Sequence, residues 1–154
     1  MLLRTHLVFS IFVFLFLFPY LSMNKVLFFA FLVFGTLFVD IDSSKSKIGR
    51  KWFLRPVQWV VSHRGIFHTI IFGLILSILL YFINSVVGFG FFAGYLLHLF
   101  LDCFSKSGVR LFWPFSDLKI GLGKLGLKSG GLIEEIFFVL LLLGDLVLIY
   151  KIIF

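Results

Sequence analysis

IFHTIIFGLILSILLYFI (66–83), NS (84–85) and VVGFGFFAGYLLHLFLDCF (86–104) together decide the fold. Two apolar runs of 18 and 19 residues stand with only Asn84 and Ser85 between them. As helices rising about 1.5 Å per residue, each is nearly as long as a hydrocarbon core of about 30 Å is thick. A two-residue break permits only a tight hairpin, so the two helices are expected to be antiparallel neighbours. Gly73, Gly88, Gly90 and Gly94 lie along them, and in lipid such small residues let helix backbones approach closely.

Working outward, two shorter apolar runs precede this pair, at 7–21 and 25–39. At about 22 Å of helix each, they must be extended by flanking polar residues, sit in a thinned bilayer or form a shallow hairpin. The second run follows the first almost at once, with no small-x-small pattern between them, which argues against a cleaved leader. After the pair, residues 132–152 read as a fifth helix despite Glu134, Glu135, Asp145 and Lys151. The whole chain of 154 residues is 61% hydrophobic and 14% charged, with 24 Phe. Soluble domains carry about 25% charged residues, so a soluble enzyme is excluded. One Cys excludes a disulfide framework and a CxxC metal knuckle, and Cys103 reads as a buried, inert thiol. The expected fold is an all-α polytopic membrane protein, one integral membrane domain over 1–154, with five transmembrane helices at 7–21, 25–39, 66–83, 86–104 and 132–152.

The net charge of +7 is a topology signal. With five spans, segments 1–6, 40–65 and 105–131 share one face and hold 12 of the 14 Lys and Arg residues, leaving Lys25 and Lys151 opposite. The positive-inside rule then places those loops in the cytoplasm and the chain, multi-pass, in the cytoplasmic (inner) membrane. No nucleic-acid partner is expected. In 45–62, Trp52, Phe53, Pro56, Trp59 and Val60 recur at spacings of three and four, which predicts a short interfacial helix. Residues 109–128 alternate short apolar stretches with basic residues and Gly, the pattern of an interfacial loop or small hairpin.

Polar residues concentrate at one end of these helices. His6 precedes the first span, Asp40 and Asp42 end the second, His63 and His68 flank the start of the third, and His98 and Asp102 close the fourth. Because the helices alternate in direction, these positions converge on one side, and His98 and Asp102 at i, i+4 share a helical face. Imidazole nitrogen and carboxylate oxygen are the donors that Zn²⁺ or Mn²⁺ takes, and ionisable groups are costly in lipid without a function. His6, Asp40, Asp42, His63, His68, His98 and Asp102 are therefore the candidate ligands of one or two divalent ions. Arg64 and Arg110 are candidate donors to an anionic group. The alternative for these two is a grip on lipid headgroups. Glu134 and Glu135 suit a helix N-terminus, and one of them could reach the cluster as a base. Asp145 lies too far along the fifth helix to join it.

At these residues the sequence resembles the YdjM family of predicted membrane-bound, metal-dependent hydrolases. The matching elements are THL at 5–7, DIDS at 40–43, HRGIFHT at 63–69, GYLLHLFLD at 94–102 and SKSGVRLFWPF at 105–115. The family's HRGxTHS motif carries Phe67 here in place of Thr and Thr69 in place of Ser, which removes one hydroxyl near the metal. KSGGLIE at 128–134 resembles the family's Gly-Ser-x-x-Glu ending and favours Glu134 over Glu135 as the functional carboxylate.

The resemblance implies hydrolysis, and the residues indicate how: water activated by a metal attacks an ester. Asp40, Asp42 or Glu134 accepts the proton, and Arg64 or Arg110 steadies the oxygens. A phosphoester is favoured by the local cations and by the lack of a GxSxG elbow. A position at headgroup level points to a membrane lipid or lipid-linked phosphate as substrate. The rival readings are a non-catalytic membrane scaffold or regulator and a divalent-metal transporter. Transporters bind near the bilayer midplane, whereas these residues lie at one end of the helices.

Overall fold

Capping residues cut the apolar runs into helices. The computed structural model describes residues 1–42 and 65–154, which form five α-helices. Helix α1 is Leu3–Leu17, continued by a 3₁₀ turn at Phe18–Tyr20. Helix α2 is Lys25–Phe38, and a 3₁₀ turn at Val39–Asp42 follows it. A 3₁₀ turn at Ile66–His68 leads into α3, Ile70–Ile83, and then come α4, Ser85–Cys103, and α5, Leu132–Ile153. Asn24 starts α2 by accepting from the Leu27 amide at 3.1 Å. Asn84 alone separates α3 from α4 and caps α4 through the Val86 amide at 2.9 Å. Each cap satisfies an amide that a helix start leaves without an intrahelical partner.

The helix lengths correct the expected count of five transmembrane helices. Among the described residues three helices are long and apolar enough to cross a membrane: Leu3–Tyr20, Ser85–Cys103 and Leu132–Ile153. The runs read as the second and third spans yield helices of only 14 residues. At about 21 Å these fall well short of a core of about 30 Å. The loss at 66–83 has a local cause. Thr69 Oγ1 accepts from the Phe72 amide at 3.3 Å and donates to the Ile66 carbonyl at 2.9 Å, so the helix starts at residue 70. The three residues before Thr69 wind as a tighter 3₁₀ turn. The chain is a multi-pass membrane protein carried across by α1, α4 and α5, with the shorter α2 and α3 packed on α4.

Helix α4 is the hub, with α2 and α3 against it and α1 against both α2 and α5. Gly35 of α2 lies on the Phe91 carbonyl, and Gly94 of α4 lies on the Leu32 carbonyl, so any side chain at either position would force the two backbones apart. Val39, Phe91, Tyr95 and Leu99 form one core cluster beside this contact, and Phe14, Phe28 and Leu32 form another. Helices α1 and α5 run parallel, since Thr5 meets Glu134 near their starts and Phe12 meets Gly144 further on. Outward side chains of α3 and α5 are apolar and open, with Leu79 58% and Leu140 61% exposed. Acyl chains are the medium in which such faces are stable.

The interfacial helix expected at 45–62 lies outside the described residues. Residues 109–128 contain no α-helix: Val109 and Ile120 exchange backbone hydrogen bonds of 2.9 and 2.8 Å as an antiparallel bridge. Ser105 pairs with Leu127 beside it. Gly108 makes the turn at φ +61°, with the Ile120 carbonyl where a Cβ would stand.

Candidate metal centre

Four helix ends meet at one end of the bundle, and each delivers one or two polar side chains. His6 sits in the first turns of α1, and Asp40 lies in the 3₁₀ turn after α2. His68 ends the 3₁₀ turn before α3, and His98 and Asp102 share the last turns of α4. His6, His68 and His98 are each 1% exposed and Asp102 2%. The Asp102 carboxylate is the centre of the group. Its Oδ1 lies 3.5 Å from His6 Nε2, and its Oδ2 lies 3.6 Å from His68 Nε2 and 3.8 Å from His98 Nε2. Asp40 Oδ1 is 3.9 Å from His98 Nε2. The His6 and His98 rings stack with centroids 3.9 Å apart and planes 5° from parallel. The backbone nitrogen of Met1 also reaches Asp102 Oδ1, at 3.0 Å.

These separations match the spacing of ligands on a metal. Four donors about 2.1 Å from a tetrahedral Zn²⁺ lie about 3.4 Å from one another. His6, His98 and Asp102 form one group of three whose ligand atoms lie within 4.8 Å of each other, and Asp40, His68 and His98 form a second. His98 Nε2 and His6 Nδ1 are buried with no hydrogen-bond partner among the described residues. Buried polar nitrogens are rarely left so, and an ion on His98 Nε2 would satisfy it. The donor set fits a divalent ion of the zinc or manganese kind.

An outer layer fixes the ligands. The Thr36 carbonyl lies 2.8 Å from His98 Nδ1. A carbonyl can only accept, so Nδ1 carries the proton and the Nε2 lone pair faces the cluster. This contact depends on the glycine packing one turn below, where Gly94 and Gly35 bring α2 and α4 together. Thr36 Oγ1 gives its own proton to the carbonyls of Leu32 and Gly94, at 2.9 and 3.2 Å, which makes Ser10 the donor in the 2.9 Å Ser10–Thr36 bond. Tyr95, fully buried, donates its hydroxyl toward the Phe67 carbonyl at 2.5 Å and the Thr69 carbonyl at 3.0 Å. Those carbonyls flank His68, so one phenol fixes the backbone on both sides of a candidate ligand. Burial pushes the Asp40 carboxyl above the ordinary carboxylate range, opposed by the charges of His6 and His68.

The structure thus brings together five of the seven expected ligands: His6, Asp40, His68, His98 and Asp102. His63, Arg64 and the side chain of Asp42 lie outside the described residues. Arg110 sits on the loop after α4, 3.4 Å from Asp117 Oδ1 and open to the surface. Glu134 is buried in the first turn of α5, against the start of α1, where it accepts from the Leu2 amide at 2.6 Å, Thr5 Oγ1 at 2.9 Å and the Gly130 amide at 2.8 Å. Phe67, the departure from the HRGxTHS pattern, packs edge-on against Phe38 and Phe72, with centroids 5.8 and 4.9 Å away. Thr36 and Tyr95 were not among the expected site residues. Their signal was a lone hydroxyl in an apolar run, four residues before Asp40 and three before His98.

A multi-pass helical membrane protein with a buried cluster of imidazoles and carboxylates fit for a divalent ion is the class that this fold and site define. Over residues 1–152 the chain matches the family described as YdjM inner membrane protein, and it belongs to that family. Among its relatives, Uncharacterized protein YvsG of Bacillus subtilis (strain 168) is 31% identical over 121 residues, covering 76% of this chain and 74% of the relative. Inner membrane protein YdjM of Escherichia coli (strain K12) is 34% identical over 87 residues, 51% of this chain and 44% of the relative. The protein of the same name from Shigella flexneri matches to the same extent. The match spans less than half the length of these last two proteins. No solved structure matches the chain.

Proposed function

We propose that the protein is a metal-dependent hydrolase of the cytoplasmic face of the membrane, cleaving a phosphoester of a lipid or lipid-linked substrate. The observation that carries this reading is the Asp102 carboxylate set among three imidazole nitrogens at 3.5, 3.6 and 3.8 Å, in a chain of a membrane-protein family. The cluster holds one ion. His98 belongs to both possible groups of three, its Nδ1 is committed to Thr36, and one remaining lone pair cannot serve two ions. His6, His98 and Asp102 would be its ligands, with His68 beside them at 3.6 Å from Asp102 Oδ2. When bound, a divalent ion supplies Lewis-acid activation of water and polarises a phosphoryl oxygen.

Asp40 takes the role of base. It is the most open member of the cluster, with 16% of its side chain exposed against 1–3% for the others, so water and substrate approach from its side. Glu134 is withdrawn from that role because its three donors hold its carboxylate at the start of α1. Arg64 remains the candidate to steady phosphate oxygens. The side of the membrane follows from charge. Among the described residues Arg4, Lys106, Arg110, Lys119, Lys124 and Lys128 lie at the cluster's end of the bundle, and Lys25 and Lys151 at the other.

The test is phosphate release from phospholipids and polyprenyl phosphates by purified protein loaded with Zn²⁺ or Mn²⁺. Wild type should turn over at least one of them, and Asp40→Asn should lose turnover while keeping its ion. Protein that binds no ion on titration overturns the reading.

A further inference from the structure

The end of the bundle away from the cluster holds a cavity of about 420 Å³, between the end of α1, the turn into α2 and the last turns of α5. Leu15 and Leu148 are among its apolar lining, Phe18 and Tyr20 supply aromatic rings, and Lys25 and Lys151 supply charge. The two lysines carry the only charged side chains in the segments 18–25, 84–85 and 146–154, which make this end. Both line the same cavity, although they come from different helices far apart in sequence. The Lys25 ammonium lies 4.0 Å over the Phe18 ring, which holds it toward the cavity instead of leaving it to reach out into water. No Asp or Glu side chain in those segments balances the pair.

We propose that this cavity binds the anionic headgroup of a membrane phospholipid, with phosphate between Lys25 and Lys151 and the first methylenes of an acyl chain along Leu15 and Leu148. Three features select this occupant. Two cations with no acidic side chain in those segments call for an anion. The apolar lining beside them calls for an amphiphile. The end of a spanning helix, with Tyr20 at its rim, is the depth at which headgroups lie. A volume within the range of small-ligand sites, about 300–1,000 Å³, admits a glycerophosphate headgroup. This site is independent of the metal centre, which lies at the opposite end of the helices.

The experiment uses the full chain in nanodiscs containing phosphatidylglycerol or phosphatidylcholine, each with the same photoreactive group on its acyl chain, and maps the crosslinked peptides by mass spectrometry. Phosphatidylglycerol should label 15–25 and 146–154 strongly and phosphatidylcholine weakly. A basic residue near the membrane surface contributes about fivefold in affinity for anionic lipid, so Lys25→Gln or Lys151→Gln should each reduce labelling about fivefold and the double variant about 20–30-fold. Circular dichroism and ion content should stay at wild-type values, since both lysines are remote from the core and the cluster. Equal labelling by the two lipids, or labelling that survives in the double variant, overturns the proposal. Displacement of the lipid probe by millimolar inorganic phosphate also overturns it, in favour of a free-anion site.

Discussion

Two carboxylates, Asp102 and Glu134, lie buried at the same end of the bundle, 2% and 1% exposed, and their surroundings differ in kind. Glu134 accepts from two amides and a hydroxyl at 2.6–2.9 Å, and so ties the start of α1 to the start of α5. Asp102 accepts a hydrogen bond from the Met1 nitrogen at 3.0 Å and otherwise faces three imidazole nitrogens at 3.5–3.8 Å, too long for strong hydrogen bonds and about right for ligands that share an ion. Burial therefore does not by itself mark a functional carboxylate in a membrane protein. What marks it is the chemistry of its neighbours and their spacing. Three donors at hydrogen-bond distance make a structural clasp, and several imidazole nitrogens at ligand distance make a candidate metal site.

Four substitutions probe this contrast, ordered by their expected effect on the ion. Asp102→Ala removes the common neighbour of three imidazoles and should weaken zinc binding by more than about 100-fold, beyond the 10–100-fold that outer partners contribute. Helix content by circular dichroism should stay near wild type, because apolar packing on α4 is untouched. Tyr95→Phe keeps the ring against Gly73 but strips the donor from both carbonyls around His68. Its zinc affinity should fall about 10-fold in a competition titration. Glu134→Gln should act the other way round. It leaves a donor facing the Gly130 amide, at a cost of about 1–3 kcal/mol read as a lower Tm, while protein at saturating zinc still holds its one equivalent. Loss of the ion in Glu134→Gln with Tm unchanged would erase the contrast. Asp145→Asn, in the middle of α5 and remote from the cluster, should change neither ion content nor hydrolysis.

Much of the candidate site's arrangement was legible in the sequence, as was the shortness of α2, and the length of α3 was not. His98 and Asp102 could be paired from i, i+4 geometry. His6, Asp40 and His68 could be brought to them because alternating helices place their ends together. The partition between Asp102 and Glu134 was hidden, because it depends on which donors the start of α1 and the loop before α5 present. The five-span expectation failed at Thr69 for a local reason: in an otherwise apolar run a single threonine looks neutral, yet its hydroxyl caps α3 and removes a turn. The roles of Thr36 and Tyr95 depended on the close glycine contact between α2 and α4 and on a phenol crossing to the α3 entry. Both are tertiary contacts that spacing along the chain does not specify.

The central claim is one divalent ion held among the imidazoles of three helix ends, and X-ray absorption at the zinc edge of the zinc-loaded protein tests it most directly. The spectrum should show nitrogen and oxygen ligands at about 2.0–2.1 Å with the multiple scattering of several imidazoles, and one zinc per chain. A metal–metal distance of about 3.5–4 Å, or a zinc shell without imidazole scattering, would contradict the account.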